Sequence, residues 1–517
     1  MDIIKTDIHM DCIRGAAVSQ VAMEEDVNLP ESKPDISFLT RTHGEPVIEE
    51  IKAGNDSVTI RGKLVFHVLY YTGEEGGRLV PFEGKVNFEE KLHIDGVSPA
   101  DTVQVNAAVE DLSVSAIHSR KLNVRAIVLF QGRLNDISRV ELPIEVRNGE
   151  AAQFRRTPIT VSELILQKKD VLRIREEVML PSGYPNIYQI LDSRVSLSDV
   201  EYRAVEDTFQ VQGDINLCVL YEAEGETRGV RVYEVTIPFG GRVDCPGLTQ
   251  EMLGDLEFVK GPVKLVSKPD PDGEERSIDL EMSLDIGMNV YEEGQYEMIS
   301  DLYGVTKEVE RRSEAVTLQM MRNRLCGKSK LSGRIHTKEG QEAILQVLFY
   351  DSCLTTAGEE LTEGKMGMQG TLDVNVMYVT GNDEMPYEVV RESLPYEYSM
   401  DMTGYGPEDH FRVKADVEQL QVNMLDGEEL EVKAVLTFRV IIWKEIQQEL
   451  IQNVSVENLD AARQKSLPGI VIYTVRPGDN LWSIGKKYYI TVDRIREMNH
   501  LSSDELQPGE KLLLSKV

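Results

Sequence analysis

Gly62-Lys-Leu-Val-Phe-His-Val-Leu-Tyr70 decides the fold, because the chain writes it three times. The other copies are Gly213-Asp-Ile-Asn-Leu-Cys-Val-Leu-Tyr221 and Gly370-Thr-Leu-Asp-Val-Asn-Val-Met-Tyr378, and glycine and tyrosine stand eight apart in each. Ile36, Ile187 and Ile344 each precede the glycine by 26 residues, and Phe88, Phe239 and Tyr396 each follow the tyrosine by 18. The first and third copies align without a gap from Gly62 to Val128 at an offset of 308, which places VEDLSV (109–114) on VEQLQV (417–422). The second copy carries about five additional residues before its matching segment, Ile278-Asp-Leu-Glu-Met. Chance does not hold such a register, so the chain is a triplication.

Within the motif Leu64, Phe66, Val68 and Tyr70 alternate onto one face, as do Ile215, Leu217, Val219, Tyr221 and Leu372, Val374, Val376, Tyr378. Period-2 alternation is the signature of a half-buried strand. The intervening positions are mixed (Lys63, His67, Asp214, Asn216, Asp373, Asn375), which predicts a partly wet second face. Turn signals follow each strand: TGEEGG, EAEGETRG and TGNDE. Val103 to Phe130 and Phe411 to Ile442 read as further strand pairs turning near Ser119 and Asp426-Gly427. The fold class is therefore mainly β. Three tandem, separately folding antiparallel β-sandwich-like modules are expected near 1–152, 153–311 and 312–455, with edge strands open to pairing.

The 517 residues include 88 acidic and 56 basic side chains, a formal net charge of −32. A hydrophobic fraction of 41% suffices for cores and excludes wholesale disorder. The acidic balance argues against nucleic acid, whose phosphates it would repel. No window approaches 18 uninterrupted apolar residues, so no transmembrane helix is predicted. The opening MDIIKTDIHMDCIRGAAVSQ lacks the apolar core of a secretory signal, and the protein is expected to stay in the cytoplasm. Five widely spaced cysteines (12, 218, 245, 326, 353) form neither a disulfide framework nor a zinc motif. Gly327-Lys328-Ser329 imitates the end of a phosphate loop, but Arg322 stands where that loop needs glycine. The eight histidines are scattered, and His67 is replaced by Cys218 and Asn375 in the other copies. No catalytic residue, metal or cofactor is expected.

Composition changes near the end. Residues 468–517 hold seven Lys/Arg and six Asp/Glu, a near-neutral piece after a strongly acidic body, with 456–468 as the expected linker. Val471 to Val475 reads as a strand stopped by Arg476-Pro477-Gly478. Asp479 or Asn480 can cap a helix from Leu481 to about Tyr488, and Thr491 can cap a second from Val492 to Asn499. Gln507-Pro508-Gly509 then turns into a last strand, Lys511 to Ser515.

That βααβ segment resembles a LysM domain. The likeness rests on Tyr473-Thr-Val, Pro477-Gly-Asp-x-Leu-Trp482, Asn499-x-Leu501 and Pro508-Gly-x-x-Leu512, with Asn480, Gly485 and the Tyr489-Ile490 turn as departures. The resemblance implies a groove between two loops, Gly478, Asp479, Asn480, Leu481 and Trp482 on one side and Met498, Asn499, His500 and Leu501 on the other. It implies N-acetylglucosamine-containing glycans as ligands. Trp482 itself is expected in the hydrophobic core. Leu481, Met498 and Leu501 are the expected apolar anchors for a protein partner, and Arg476, Lys486, Lys487 and Arg496 the expected steering charges. The repeats, with Pro-Asp-Ile36 and Pro-Asn-Ile187 ahead of the Gly-to-Tyr strand in the first two, resemble the SPOCS domains of the spore coat morphogenetic proteins of endospore-forming Firmicutes. That family implies a non-enzymatic coat-assembly scaffold in the mother-cell cytoplasm, recruited to the forespore surface. Its LysM domain would bind a coat morphogenetic ATPase of the SpoIVA type, with other coat proteins as further partners. The alternative is a glycan-binding protein that recognises peptidoglycan or its lipid-linked precursor. A hydrolase targeted by LysM would need a catalytic module that the repeats do not supply.

Overall fold

The computed structural model describes residues 1–73, 77–148, 152–225, 229–406, 408–458 and 469–515. Most of the expected linker, 459–468, lies outside the described residues, and 456–458 belong to a strand.

Each repeat is six strands in two three-stranded antiparallel sheets. In the first, β2 (Ile36–Ala53), β3 (Ser57–Thr72) and β4 (Leu79–His93) form one sheet in the order β2-β3-β4. The facing sheet, ordered β1-β6-β5, is built from β1 (Asp2–Asn28), β5 (Val103–His118) and β6 (Lys121–Arg147). The second repeat reproduces this with β7 (Ala152–Met179), β8 (Ile187–Val205), β9 (Thr208–Ala223), β10 (Val230–Asp244), β11 (Leu253–Pro269) and β12 (Glu275–Gly304). The third does so with β13 (Lys307–His336), β14 (Gln346–Thr362), β15 (Lys365–Val379), β16 (Tyr387–Asp401), β17 (Asp409–Met424) and β18 (Glu429–Asn458).

The repeated motif is the middle strand of the first sheet, β3, β9 or β15. Its alternating face is the sandwich core, where Leu64, Phe66, Val68 and Tyr70 pack against Leu122, Val124 and Ala126 of β6. The spacings of the landmarks have physical causes. The tyrosine ends the strand and pins the loop before β2. Tyr70 Oη donates to the Pro34 carbonyl at 2.9 Å, Tyr221 to Pro185 at 3.1 Å and Tyr378 to Glu342 at 3.4 Å. The glycine sits opposite the aromatic residue: Gly62 pairs with Phe88, Gly213 with Phe239 and Gly370 with Tyr396. A Cβ at Gly62 would lie 2.8 Å from Phe88 Cζ, so the ring lies where a side chain would be.

The mixed positions of the motif strand's second face, Lys63, His67, Asp214, Asn216, Asp373 and Asn375, are half-buried as the sequence predicts, but the face is dry at its end. Leu69, Leu220 and Met377 hold the same position in the three repeats and meet in one cluster with Leu79, Leu191, Cys218, Leu348 and Phe349. The first sheets of all three repeats therefore converge on a common axis. Beside this cluster Arg41, 8% exposed, bridges the repeats. Its Nη1 bonds Asp192 of the second repeat, and Nη2 bonds Asp351 of the third at 2.5 Å. Its guanidinium lies 4.6 Å from the Phe349 ring centroid. Burial pushes the His43 imidazole down to about 3, and Arg41 and His67 add to the shift, so the ring is neutral and its Nδ1 accepts from Arg41 at 2.9 Å.

The long strand pairs β1/β6, β7/β12 and β13/β18 run past the sandwiches and pack together as a stalk. Met10, Val161 and Leu318, at equivalent positions, share a core with Leu142, Met298 and Leu450. Nearer the tip Ile299, Leu302 and Ile451 are buried together. Each buried side chain of this kind contributes about 1.5–3 kcal/mol, so the modules expected to fold separately share cores across repeat boundaries. β12 also passes to β13 at this tip, and β18 ends there, with Asn458 opposite Lys307.

A last unit follows: β19 (Ile470–Thr474), α1 (Leu481–Tyr488), α2 (Val492–Asn499) and β20 (Lys511–Ser515), with β19 and β20 paired antiparallel.

Candidate functional site

The first loop of the βααβ unit is held by its own side chains. Gly478 takes a left-handed φ of 89°. The Asp479 carboxylate accepts from Tyr473 Oη at 2.7 Å and from the Arg476 amide at 2.8 Å, which keeps its pKa below the usual carboxylate range. Asn480 caps α1 through a reciprocal box: its Oδ1 accepts from the Ser483 amide at 2.8 Å, and its own amide donates to Ser483 Oγ at 3.1 Å. Leu481 is 2% exposed and belongs to the unit's core with Tyr473, Ile484, Ile495, Leu512 and Leu514. It is therefore not the partner anchor the sequence suggests, because the first helical turn points it at the sheet.

The second loop is similarly engaged. Asn499 Nδ2 donates to the Ile495 and Leu513 carbonyls, both at 2.8 Å, and its Oδ1 accepts from the Leu513 amide at 2.6 Å. This side chain joins the end of α2 to β20 as a strand neighbour would. His500 ends α2 at a left-handed φ of 53°, and Leu501 packs partly on the core. Met498 is half-buried and His500 exposed.

Of the expected steering charges, Arg476 is exposed. Lys487 lies 5.4 Å and 5.5 Å from the Tyr473 and Tyr488 ring centroids. Arg496 pairs with Asp493 and Asp504. Lys486 has a different role. It lies one turn after Trp482 on α1, and both reach Asp301 near the end of β12. Trp482 Nε1 donates to Asp301 Oδ2 at 2.8 Å, and Lys486 Nζ lies 2.7 Å from Oδ1 and 3.0 Å from Oδ2. Arg311 completes the cluster at 2.9 Å. Tyr303, two residues on, donates from Oη to the Ile490 carbonyl at 2.8 Å. Its ring meets Trp482 edge-to-face at a centroid distance of 4.9 Å. Trp482 is thus half-buried between the βααβ unit and the stalk tip, where the sequence placed it in the unit's own core. No pattern along residues 469–517 could have named Asp301 or Tyr303 as its partners.

The phosphate-loop imitation does not gather a site. Lys328 lies within β13, an extended strand, and pairs with Asp199 and Glu418. Among the described residues no group of three or more His, Cys, Asp or Glu is placed to hold a metal ion. Among the described residues no helix is long and apolar enough to cross a membrane.

Three sandwich repeats joined to a small βααβ unit define a modular protein. Comparison with known proteins gives the family. The SipL, SPOCS domain family matches residues 35–117, 186–262 and 343–425, and the LysM domain family matches 473–515. The chain has the SipL-type architecture of three SPOCS domains followed by a LysM domain. Three similar curated proteins share a LysM-sized stretch with this chain. A probable peptidoglycan endopeptidase LytE of Bacillus subtilis is 45% identical over 42 residues, 8% of this chain and 13% of that protein. A probable endopeptidase p60 of Listeria grayi is 44% identical over 43 residues, 8% of each chain. The uncharacterized protein YkzQ of B. subtilis is 44% identical over 39 residues, 8% of this chain and 52% of its own length. No solved structure matches the chain. SPOCS and LysM domains are binding domains, and the chain carries the domain content of a sporulation-associated LysM protein.

Proposed function

We propose that this protein is a non-enzymatic scaffold of endospore coat assembly whose LysM domain binds a protein. The partner we favour is a coat morphogenetic ATPase of the SpoIVA type, met in the mother-cell cytoplasm at the forespore surface. One observation carries the choice of a protein over a sugar. Three polar side chains of the groove loops, Asp479, Asn480 and Asn499, are engaged inside the domain, while the α1 face already grips a carboxylate and a tyrosine ring of a protein strand. A sugar site needs several aimed polar groups with a stacking surface, whereas a protein interface needs aromatic and cationic anchors. The glycan reading keeps the support of the LysM match itself and of the peptidoglycan endopeptidase named among the similar proteins. Calorimetric titration of the full chain with the purified ATPase and with N-acetylglucosamine oligomers separates the two. Binding to the ATPase without measurable oligomer binding is expected. Micromolar oligomer binding with no ATPase binding would reverse the assignment.

A further inference from the structure

The contact between α1 and the stalk tip is more specific than packing requires. The stalk offers three equivalent tips, one per repeat, because β6, β12 and β18 run in the same register against β1, β7 and β13. Asp301 pairs with Arg155, Glu145 with Ile4 and Asn453 with Arg312, which are equivalent positions. Two residues on stand Tyr303, Arg147 and Ser455. Only the second repeat therefore presents a carboxylate and a tyrosine in an Asp-x-Tyr arrangement, and that is where the LysM domain sits. The LysM side is adapted to match. Gly485 lies between Trp482 and Ile490, and a Cβ there would fall 2.6 Å from Tyr303 Oη and 2.7 Å from the Ile490 carbonyl oxygen. The glycine leaves the space in which hydroxyl and carbonyl meet.

We propose that Asp301-Leu302-Tyr303 is an internal ligand of the LysM domain. The α1 face of Trp482, Gly485 and Lys486 is a protein-reading surface whose external partner presents the same chemistry, an acidic residue two positions before a tyrosine at an exposed strand end. In the free chain this surface is occupied, and a partner that uses it must displace β12. The contact consists of one carboxylate, one ring pair and one hydroxyl. A tethered contact of that size is maintained by the high local concentration of its two halves. The apparent affinity of a competing partner is reduced by the fraction of chains that are docked. The partner half of this inference rests on the proposed protein-binding function, whereas the internal docking does not.

The test uses the full chain carrying Trp443→Phe, which leaves Trp482 as the only tryptophan. Acrylamide quenching of Trp482 is compared with that of the double variant Asp301→Asn/Tyr303→Phe and of Lys486→Ala, which acts from the LysM side and leaves the stalk intact. Both variants are expected to raise the quenching constant at least twofold. Unchanged quenching in both would overturn the docking. A labelled peptide of residues 297–306 is then titrated against the original chain and the double variant. At least tenfold tighter binding to the variant, lost when the peptide itself carries Asp301→Asn, supports the reading surface. Equal or absent binding overturns it. If quenching responds but the coat ATPase binds neither chain, the docking stands and the proposed partner falls.

Discussion

Asn499 and Gly62 show how single residues hold this protein. A groove-lining Asn499 would be replaceable at no cost to the domain. Its three hydrogen bonds to Ile495 and Leu513 instead make it a splice between α2 and β20. Asn499→Ala leaves the Leu513 amide and carbonyl without that partner and is expected to lower LysM stability by about 1–3 kcal/mol. Hydrogen exchange at Leu513 reads this directly, and unaltered protection there would show that the bonds carry no weight. Gly62→Ala is expected to cost a similar ~1–3 kcal/mol, because a methyl group there would fall against the Val47 carbonyl oxygen of the neighbouring strand and 2.8 Å from the Phe88 ring. Thermal unfolding of the variant checks it, with Gly213→Ala and Gly370→Ala expected to follow. Of the two roles only that of Gly62 was partly legible, since the sequence placed Asn499 in the groove. The spacing of Gly62 to its aromatic residue recurs three times in the sequence, but that the ring covers the glycine is a cross-strand fact.

At the scale of elements, the helix α1 and the strand β12 meet through ionised groups, so their contact depends on pH. Burial alone would raise the Asp301 pKa. Hydrogen bonds from Lys486 and Trp482 and the charges of Lys486 and Arg311 outweigh it and hold the carboxyl below its ordinary value. Asp493 stands on the other side, as a negative charge acting on Tyr303. A carboxyl depressed further by docking stabilises docking fully above its undocked value, which Arg311 of the stalk itself helps to hold down. That stabilisation is lost as pH falls through the depressed value. Trp482 quenching in the Trp443→Phe chain is therefore expected to be flat from pH 7 to about pH 5 and to rise below about pH 4. A rise centred near neutrality would implicate another group. The helix boundaries, caps and strands of the LysM unit were readable from Pro477-Gly478, Asn480, Thr491 and Pro508-Gly509. The first strand β1 was not, because its alternation is broken by charged and small residues from Asp11 to Ala17. Its pairing with β6 and its contact with the other two ribbons make it a strand.

The whole molecule is a single-chain assembly of three similar units about an axis, and Arg41 is one of its cross-repeat ties, beside pairs such as Arg412–Asp255 and Lys328–Asp199. Removing one member of a buried ion pair leaves the others uncompensated, at roughly 3–5 kcal/mol. Arg41→Ala strands Asp192 and Asp351 in this way. Denaturant unfolding is expected to show the three repeats losing structure in one shifted transition, since their cores are shared at the axis and in the stalk. If only the first repeat's transition moved while the other two unfolded unchanged, the repeats would be independent and the shared cores without consequence.

Along the chain, local patterns determined the triplication, the strand faces and the βααβ unit, because period-2 alternation, turn residues and helix caps act over a few neighbouring positions. Tertiary structure alone decided that the end of the motif's second face, at Leu69, Leu220 and Met377, is covered and that Arg41 faces carboxylates of two other repeats. It also decided that Trp482 leaves its own domain for Asp301, 181 residues away. The physical reason is that each of these contacts joins side chains that no short window contains. The three stalk tips are equivalent in register but differ in their side chains, and the LysM domain meets the one that carries a carboxylate with a tyrosine two positions on.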